Sequence, residues 1–470
     1  VGTDDGIVAL TLDGGAHWSK TQLPGVPPFA RIETVAPSPF DAATAYAIAD
    51  RHRSGDYEPY LFVTHDYAKS WTKITTGLPA GQYVRTVRPD VRNRNLVFAG
   101  SENGLWISYD AGAHWADFRL NLPTASVRDI RIQPEFNDLA IATHGRALWI
   151  MDDIRPLQDL PAAQAQHAML FPIRTAYQYS YHSEDEGLYT RFAGKNPPAG
   201  AIINFFLDKP QASPVEIDIL NAGGQVIRHI KNRQPDSDSD DDKTAAKVVT
   251  NLTGINRVVW DFREDGVARW MGAAKTEYRG PYYGVTVLPG KYSARVTIGG
   301  HSFTQPFVVM PNPKVPYLPR SARAAYDFAK KYLRLSGQIN TILNNLDEQK
   351  ASLTSANAAL ITAGNTALAT KVASALAARE AIFNQFTANY HNDEDSIQQP
   401  GALREDIPRS GFGAPSPPSD AVLEFAHRFD LEYNAALASY NTYVTATLVP
   451  LSAELTAAGQ KPVGGAVIIR

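Results

Sequence analysis

The chain has 470 residues, of which 44% are hydrophobic and 20% charged, with a formal net charge of −3, a composition ordinary for a globular protein with room for roughly two to four domains. It has no long Lys/Arg run and no apolar stretch near the roughly 20 residues that span a bilayer, which argues against a nucleic-acid footprint and a membrane span. It has no cysteine, which excludes disulfides, thiolate catalysis and cysteine-bound zinc or iron–sulfur sites.

The first ten residues, VGTDDGIVAL, begin at Val1 rather than Met and predict a strand, a turn and a second strand. These residues contain no signal peptide, but this does not show that the full polypeptide lacks one. We expect the chain to be the C-terminal part of a longer or processed polypeptide.

One eight-residue string occurs three times: TLDGGAHW at 11–18, THDYAKSW at 64–71 and SYDAGAHW at 108–115. Successive copies are 53 and 44 residues apart, close to the length of one four-stranded propeller blade. Strand-like segments flank them, with RIETVAPSP, VRTVRPDV and VRDIRIQPEF as inner-strand candidates. The pattern predicts strand order A–B–C–D in each blade, with the string in the C–D turn.

The string resembles the Asp-box, or BNR, repeat of sialidase-type and sortilin-type β-propellers. Asp accepts hydrogen bonds from turn amides, Gly permits a positive φ and Trp buries a large surface, so these residues are predicted to be structural. Catalysis is disfavoured because equivalent residues of successive blades lie far apart, whereas glycosidase carboxylates flank one bond. The equivalent residues are Asp13, Trp18, Asp66, Trp71, Asp110 and Trp115.

Two further features of these turns carry expectations. His17 and His114 are expected to be exposed turn histidines rather than metal ligands, since equivalent blade positions cannot converge on one ion. Ala68 stands where the other copies have glycine, which predicts a distorted or different turn in the second copy.

The B–C loops are predicted at the end of the blades opposite the Asp-boxes, at 3–6, 50–58, 101–104 and 143–146. The longest, DRHRSGDYE, offers four ligand-binding candidates; its alternative is a solvated charged loop. Four carboxylates of these loops are candidates for hydrolytic catalysis. The binding candidates are Arg51, His52, Arg53 and Tyr57, and the catalytic candidates are Asp5, Asp56, Glu58 and Glu102.

His144 and Arg146 interrupt the apolar run THGRALWIMDD at 143–153. We expect them at a blade edge or pocket rather than in free solvent. They are binding candidates, and the alternative is a structural hydrogen-bond network with Asp152 or Asp153.

Three blades and part of a fourth are too few to close a propeller ring. We expect the remaining blades on a missing N-terminal segment or on a companion chain. Open blades leave sheet edges exposed, so the chain is predicted to be unstable as a lone monomer and to belong to an oligomer or assembly.

The middle of the chain contains short strand-like runs separated by turn signals such as NAGG at 221–224 and LPG at 288–290. It predicts an immunoglobulin-like or FlgD-like β-sandwich, with Trp260 in its core. Within it, QPDSDSDDDKT at 234–244 departs from the EF-hand pattern. A solvated acidic loop is expected there, and no metal site or cofactor is predicted; the weak calcium candidates are Asp236, Asp238 and Asp240.

The last third is rich in Ala, Asn and Leu and carries apolar residues at helical spacing, first from Phe328 to Leu346 and later from Val422 to Leu448. With a helix at 365–389 between them, these stripes predict a bundle, and Pro450 is expected to kink or end the last helix.

The predicted fold is therefore mainly β with an α-helical C-terminal region. The predicted domains are the last propeller blades (1–157), a linker or transition (158–199), a β-sandwich (200–315) and an antiparallel helical bundle (316–470) with a Pro/Gly-rich connector (398–420).

The whole chain resembles the C-terminal half of large bacterial exported proteins described as sortilin/VPS10-like, or as BNR-repeat glycosyl hydrolases. The resemblance is carried by the Asp-boxes, NDLAIATHGRALWIMDDIRPL, INRVVWDFR and LPGKYSARVTIGG. It implies a secreted, periplasmic or cell-surface location. Peptide sorting does not carry over, because the cysteine-rich module of animal sortilins is absent. The sialidase Arg-Ile-Pro stretch is incomplete, since FARIET at 29–34 lacks the proline.

Two functions remain open at this point. The first is a non-catalytic exported propeller protein that binds protein or glycan or builds an extracellular assembly. The alternative is a sialidase-like or xyloglucanase-like glycoside hydrolase, whose B–C-loop carboxylates are completed by an N-terminal part.

Overall fold

The structure is a computed structural model that describes residues 1–179, 196–230, 249–272, 284–387, 402–409 and 416–469. The calcium candidates Asp236, Asp238 and Asp240 lie outside the described residues. The chain forms two compact units. Unit 1 comprises Val1–Arg174, Ile203–Ser213 and Asn251–Arg257, and unit 2 comprises Thr175–Ile202, Pro214–Thr250 and Val258–Arg470.

Unit 1 begins with a series of four antiparallel sheets whose strands pair in chain order. The first sheet has two strands, the second and third have four each, and the fourth has three. The strands are β1 Ile7–Leu10 and β2 Ser19–Gln22; β3 Arg31–Pro37, β4 Ala45–Asp50, β5 Tyr60–Thr64 and β6 Thr72–Lys73; β7 Val84–Pro89, β8 Val97–Ser101, β9 Gly104–Ser108 and β10 Ala116–Asp117; β11 Ser126–Gln133, β12 Asp138–His144 and β13 Leu148–Met151.

The three repeated strings fall in the turns β1–β2, β5–β6 and β9–β10. In the two complete sheets these are the turns between the third and fourth strands, which confirms the predicted strand order.

The conformation of Ala68 corrects an expectation. Its φ of 60° is left-handed like those of Gly15 and Gly112, so the turn is not rebuilt and Ala68 accepts an unfavourable backbone conformation.

Consecutive sheets of this series pack face to face through shared apolar cores. One core joins the first and second sheets, the next joins the second and third, and another joins the third and fourth. Their inner strands also bond to one another: Thr34 Oγ1 donates to the Arg85 carbonyl over 3.2 Å, and Arg88 Nε to the Ile130 carbonyl over 2.8 Å. This serial packing is propeller-like.

Two short helices follow the fourth sheet, α1 Arg155–Gln158 and α2 Leu160–Gln166. Gln158 is buried and its amide bonds to Asp90 Oδ1 at 2.8 Å and to Asn137 at 3.0 Å. This buried polar network ties α1 to the third and fourth sheets.

The middle of the chain adds two further sheets. One has the order β14–β16–β19 and the other β15–β21–β20–β17–β18. The strands are β14 Ala168–Leu170, β15 Ala176–Tyr177, β16 Ala201–Leu207, β17 Glu216–Leu220, β18 Val226–Ile230, β19 Gly254–Trp260, β20 Gly290–Ile298 and β21 His301–Met310. In unit 2 the Trp260 ring, 1% exposed, lies between 5.5 and 5.9 Å from the rings of Phe262, Tyr292 and Phe307. The prediction that Trp260 belongs to the core is confirmed.

The C-terminal helices are α3 Pro319–Thr362, α4 Thr366–Phe386, α5 Asp420–Tyr443 and α6 Val449–Ala457. They share one apolar core that also takes in Leu403. Asn365 and Ser419 cap α4 and α5 through their side chains, as expected for N-cap residues. No helix among the described residues is both long and apolar enough to cross a bilayer.

Contacts between these helices define their directions. Arg379 of α4 bonds the Leu346 carbonyl of α3 at 3.0 Å, and Tyr443 of α5 bonds the Ala375 carbonyl of α4 at 3.0 Å. The first contact and the short α3–α4 turn place α3 and α4 antiparallel. Lys371 of α4 pairs with Glu454 of α6 at 2.6 Å, so the continuous α5–α6 segment also runs antiparallel to α4. A π-helical turn at Val444–Leu448 precedes Pro450, and the helix resumes at Val449. The wider turn accommodates the missing proline N–H without ending the helix.

Candidate functional site

The inner strands β3, β7 and β11 each carry a β-bulge at the same place. In β3, Ile32 pairs with Ala49 and Thr34 with Ile48, so that Glu33 is the extra residue. The same shift makes Arg85 the extra residue of β7 and Arg128 that of β11. Because a bulge redirects its side chain and is often found beside functional sites, these three equivalent positions define the candidate site.

The bulges lie where the second strand of each sheet ends. Asp50 pairs with Arg31, the Glu102 N–H bonds the Tyr83 carbonyl at 3.3 Å, and His144 pairs with Ser126. We call this the bulge end of unit 1. The Asp-box turns lie at the other end, since Ala45, at the opposite end of β4 from Asp50, pairs with Thr64.

Arg85 is the centre of a charged network that joins three sheets. Its buried guanidinium lies 3.4 Å from Asp50 Oδ2 and 3.2 Å from Glu102 Oε2. It also donates to the Tyr83 hydroxyl over 2.7 Å. Ser126 of the fourth sheet donates to the same Glu102 oxygen over 2.8 Å. Each carboxylate is thus held by donors in fixed positions.

His52 and two tyrosines form an aromatic surface beside this network. His52 Nδ1 lies 2.7 Å from Asp50 Oδ2, and the imidazole stacks on the Tyr83 ring at 4.7 Å. The Tyr57 ring is 5.9 Å from that of Tyr83 and the residue is 51% exposed. Nδ1 is thus the ring nitrogen of His52 that contacts Asp50.

Two predicted catalytic carboxylates have pKa values below their ordinary range. For Glu102, burial raises the pKa, but hydrogen bonds from Ser126, Tyr83 and Arg85 outweigh it. For Asp56, burial is likewise outweighed by the Glu58 amide, Tyr60 and Arg51; Tyr60 and Arg51 lie 2.9 and 3.1 Å away. Both groups are therefore ionised at neutral pH and unsuited to donate a proton.

The other loop candidates do not join the network. Arg51 holds Asp56 and bonds the Pro28 carbonyl, which fixes the loop rather than a ligand. Arg53, Glu58 and Asp5 are exposed, and Asp5 accepts a hydrogen bond from Thr3. Among the described residues no contact joins them to Arg85. The structure thus brings together His52, Tyr57 and Glu102 and leaves the remaining candidates apart.

His144 and Arg146 are both exposed, so the expectation that they lie out of free solvent is wrong. His144 Nδ1 lies 3.2 Å from Arg128 Nη2, and Arg146 donates to the carbonyl of its neighbour Gly145 over 3.0 Å. The expected network with Asp152 or Asp153 is not what the structure shows.

Asp152 and Asp153 instead lie near two other arginines. Arg257 donates to the Asp152 carbonyl over 3.0 Å, and Arg174 pairs at 2.7 Å with Asp138, which also accepts from the Asp153 amide. Burial raises the pKa of both Asp152 and Asp153. This cluster joins the end of the fourth sheet to later segments of unit 1.

The Asp-box carboxylates each hold their own turn. Asp13 accepts from the His17 amide at 3.0 Å and faces its Nδ1 at 2.6 Å, and Asp110 does the same with His114 at 2.8 and 2.6 Å. Asp66 uses Ser70 in this way. Bonds to His17, first through its amide, lower the pKa of Asp13 to about 2, and those to Ser70, first through its hydroxyl, do so for Asp66.

Several residues of the site escape the sequence analysis, although a signal for them exists. The inner strands contain the aligned stretches RIETV, YVRTV and SVRDI, in which a charged residue interrupts the apolar alternation at one repeated place. A charged residue at the same register of successive inner strands indicates a bulge. The residues missed are Glu33, Asp50, Tyr83, Arg85, Ser126 and Arg128.

Across the described residues, no group of three or more His, Asp or Glu side chains is placed to hold a metal ion. The class of protein defined by these features is a mainly β protein with propeller-like serial sheets and a C-terminal helical region. Its candidate site is a charged and aromatic surface at the bulge end.

No protein-family model and no curated protein matches the chain. Similar solved structures include YCF48 bound to D1 peptide, at 12% sequence identity and a TM-score of 0.24. The match covers 49% of this chain and 62% of the YCF48 chain. The GH74 xyloglucanase from Xanthomonas campestris, at 14% identity and TM-score 0.26, covers 65% and 52%. An ancestral GH74 enzyme, at 13% and 0.21, covers 64% and 47%. The chain thus spans about half to three fifths of their lengths.

Proposed function

We propose that the protein is a non-catalytic, exported propeller protein whose bulge end binds a protein or glycan ligand. The observation behind the proposal is that the carboxylates Asp50, Asp56 and Glu102 at this end already have hydrogen-bond or ion-pair partners within the protein. Asp50 is held by His52 and Arg85, and Glu102 by Arg85 and Ser126. Asp56, in the same loop as His52, is held by Arg51 and Tyr60.

A glycoside hydrolase needs a different arrangement. One carboxylic acid must be protonated near neutral pH, which requires a raised pKa, and a second carboxylate must stand free on the other side of the bond. Glu102 and Asp56 both have lowered pKa values. Neither Glu102 nor Asp56 is therefore suited to act as the general acid of a glycoside hydrolase.

The aromatic part of the surface supports binding. Tyr57 is half exposed beside the rigid stack of His52 on Tyr83, and Arg53 is exposed in the same loop. Exposed tyrosine and arginine supported by fixed neighbours are typical of residues that contribute most to binding energy. The Arg51–Asp56 pair holds the loop and lowers its ordering cost on binding.

Assembly with further blades, on an N-terminal segment or a companion chain, belongs to the same proposal. Trp18 is 47% exposed, whereas its equivalents Trp71 and Trp115 are 8% and 5% exposed. At the other end of the series, Leu148 and Ile150 on the edge strand β13 are 72% and 60% exposed. Exposed apolar residues at both ends support a covering partner. Export is proposed from the family resemblance alone.

The test uses the full chain on a glycan array and an array of random dodecapeptides. We expect wild-type binding to one array and a loss of roughly thirtyfold in affinity for Tyr57→Ala, as for a contact worth about 2 kcal/mol. Tyr67→Ala is the matched control, because Tyr67 is 41% exposed but lies in an Asp-box turn. Absence of binding to both arrays, or glycan turnover abolished by Glu102→Gln, would overturn the proposal.

A further inference from the structure

The three bulge positions are equivalent, but their partners differ in charge. Glu33 of the second sheet pairs with Arg31 at 3.1 Å. Arg85 of the third sheet is held by two carboxylates, those of Asp50 and Glu102. Arg128 of the fourth sheet faces His144, which occupies the register position that Glu102 has in the third sheet. The same β-bulge thus presents an arginine paired with two carboxylates in the third sheet, and in the fourth sheet an arginine that contacts a histidine instead.

Arg128 is exposed, and among the described residues no carboxylate lies within ion-pair distance of it. Asp129, its neighbour in sequence, is engaged by Arg131 at 2.9 Å and by Arg88 at 3.6 Å. Arg146 is exposed nearby in sequence to His144, and its guanidinium contacts only a backbone carbonyl in the described structure. Arg128 and Arg146 are therefore two exposed arginines that have no carboxylate partner among the described residues.

Resting on the proposed binding function of the bulge end, we propose that Arg128, with His144 and Arg146, forms a subsite for carboxylate side chains of an acidic protein segment. The guanidinium group matches a carboxylate through paired N–H donors. Arg85 shows this within the molecule, since both its Nε and its Nη2 donate to Glu102 Oε2 at 3.2 Å. The acidic segment supplies to Arg128 what Glu102 supplies to Arg85.

An acidic protein segment suits this surface better than a sugar. Small-ligand sites are concave and enclose most of the ligand, whereas Arg128, His144 and Arg146 are all exposed. Recognition of sugar hydroxyls also uses hydrogen-bond acceptors that are free to bind the ligand. The Glu102 carboxylate of the neighbouring network already accepts hydrogen bonds from Arg85 and Ser126. Two exposed arginines can recognise carboxylates of a chain that approaches from solvent.

The experiment measures fluorescence anisotropy of labelled hexaglutamate and hexaglutamine with the full chain. We expect hexaglutamate to bind at least tenfold more tightly, and Arg128→Gln to weaken its binding by roughly tenfold, as for one charge-assisted pair, without effect on hexaglutamine. Arg131→Gln is the matched control: it removes the same charge from the same strand, from a residue already paired with Asp129. Arg128→Glu should transfer binding to hexalysine. Equal thermal unfolding midpoints show that the variants are folded.

Three results would overturn the proposal. Equal losses for Arg128→Gln and Arg131→Gln would indicate non-specific attraction. Hexagalacturonate bound as tightly as hexaglutamate, with the same loss in Arg128→Gln, would assign the subsite to an acidic glycan. Failure of hexaglutamate to bind, while an array ligand binds in a Tyr57-dependent manner, would remove this subsite and leave the proposed function standing. Failure of both would remove both.

Discussion

Trp115 donates its indole N–H to the backbone carbonyl of Ile74 over 2.8 Å, so that the tryptophan of one Asp-box reaches the preceding sheet. The Trp115 amide bonds the Thr76 carbonyl at 2.9 Å in the same segment. The ring is 5% exposed and belongs to the core between the second and third sheets. The repeated string therefore links sheets as well as closing its own turn.

Trp115→Phe tests this link. We expect the free energy of unfolding to fall by about 1–3 kcal/mol, because the buried Ile74 carbonyl loses its donor and the smaller ring leaves a void. Urea titration of the full chain measures it. Trp18→Phe is the control and should change stability by less than about 0.5 kcal/mol, since Trp18 is exposed. Equal losses in the two variants would contradict the link.

Gly112→Ala tests the packing of the third Asp-box turn. A Cβ at Gly112 would lie 2.5 Å from Ile74 Cδ1, and the φ of 97° disfavours any side chain. We expect a loss of about 1–3 kcal/mol, from backbone strain and from the shift that the end of the flexible Ile74 side chain must make. At Gly14 the φ is 74° and no atom lies within 4 Å, so Gly14→Ala should cost only about 1 kcal/mol. Denaturant midpoints that rank the two in reverse order would refute this account.

The lowered pKa of Glu102 predicts a pH dependence of stability. Burial opposes ionisation, but Ser126, Tyr83 and Arg85 favour it more, so the folded pKa lies below the ordinary 4.5. A depressed folded pKa contributes stability that is present above pH 4.5 and is lost as the pH falls through the folded value. Glu102→Gln should flatten the decline in thermal midpoint below pH 4.5. Glu58→Gln, at an exposed position of the neighbouring loop, is the matched control. An unaltered slope in Glu102→Gln would count against the network.

Arg379 is the buried cation of the helical core. It is 1% exposed, pairs with Glu380 at 2.7 Å and Asp347 at 3.1 Å, and lies 4.2 Å over the Phe383 ring. Arg379→Ala should destabilise the protein by about 2–4 kcal/mol, chiefly because it leaves a cavity where the buried side chain packs on Phe383; its two carboxylate partners are partly exposed and add little. Arg379→Met fills the space and should cost clearly less. Circular dichroism at 222 nm follows the helices during unfolding, and equal losses would show that packing plays no part.

The parts of the fold that sequence predicts well are those with local repetition. The Asp-box strings locate the β5–β6 and β9–β10 turns because Asp, Gly and Trp each serve a local geometric need. The stripe from Phe328 to Leu346 predicts α3 because its spacing matches the helical period. The division at residues 157, 199 and 315, and the immunoglobulin-like description of the middle region, stay predictions.

The candidate site is harder to predict because it depends on register between strands. Whether Arg85 meets Asp50 is decided by a one-residue bulge, and the two residues are 35 positions apart. The exposure of His144 and Arg146 does not follow from the sequence, because the apolar run that contains them looks like a buried strand, whereas Leu148 and Ile150 of β13 are exposed. Periodicity gives the faces of a strand but not its neighbours.

The contrast between Trp18 and its two buried equivalents has an optical consequence. All seven tryptophans lie within the described residues, and Trp18 alone among them is exposed. Its indole is therefore open to aqueous quenchers, while Trp115 is shielded from them. Trp18 is therefore a natural fluorophore in the first sheet of the series. A decrease in the quenching of its fluorescence would report the binding of a partner to that sheet.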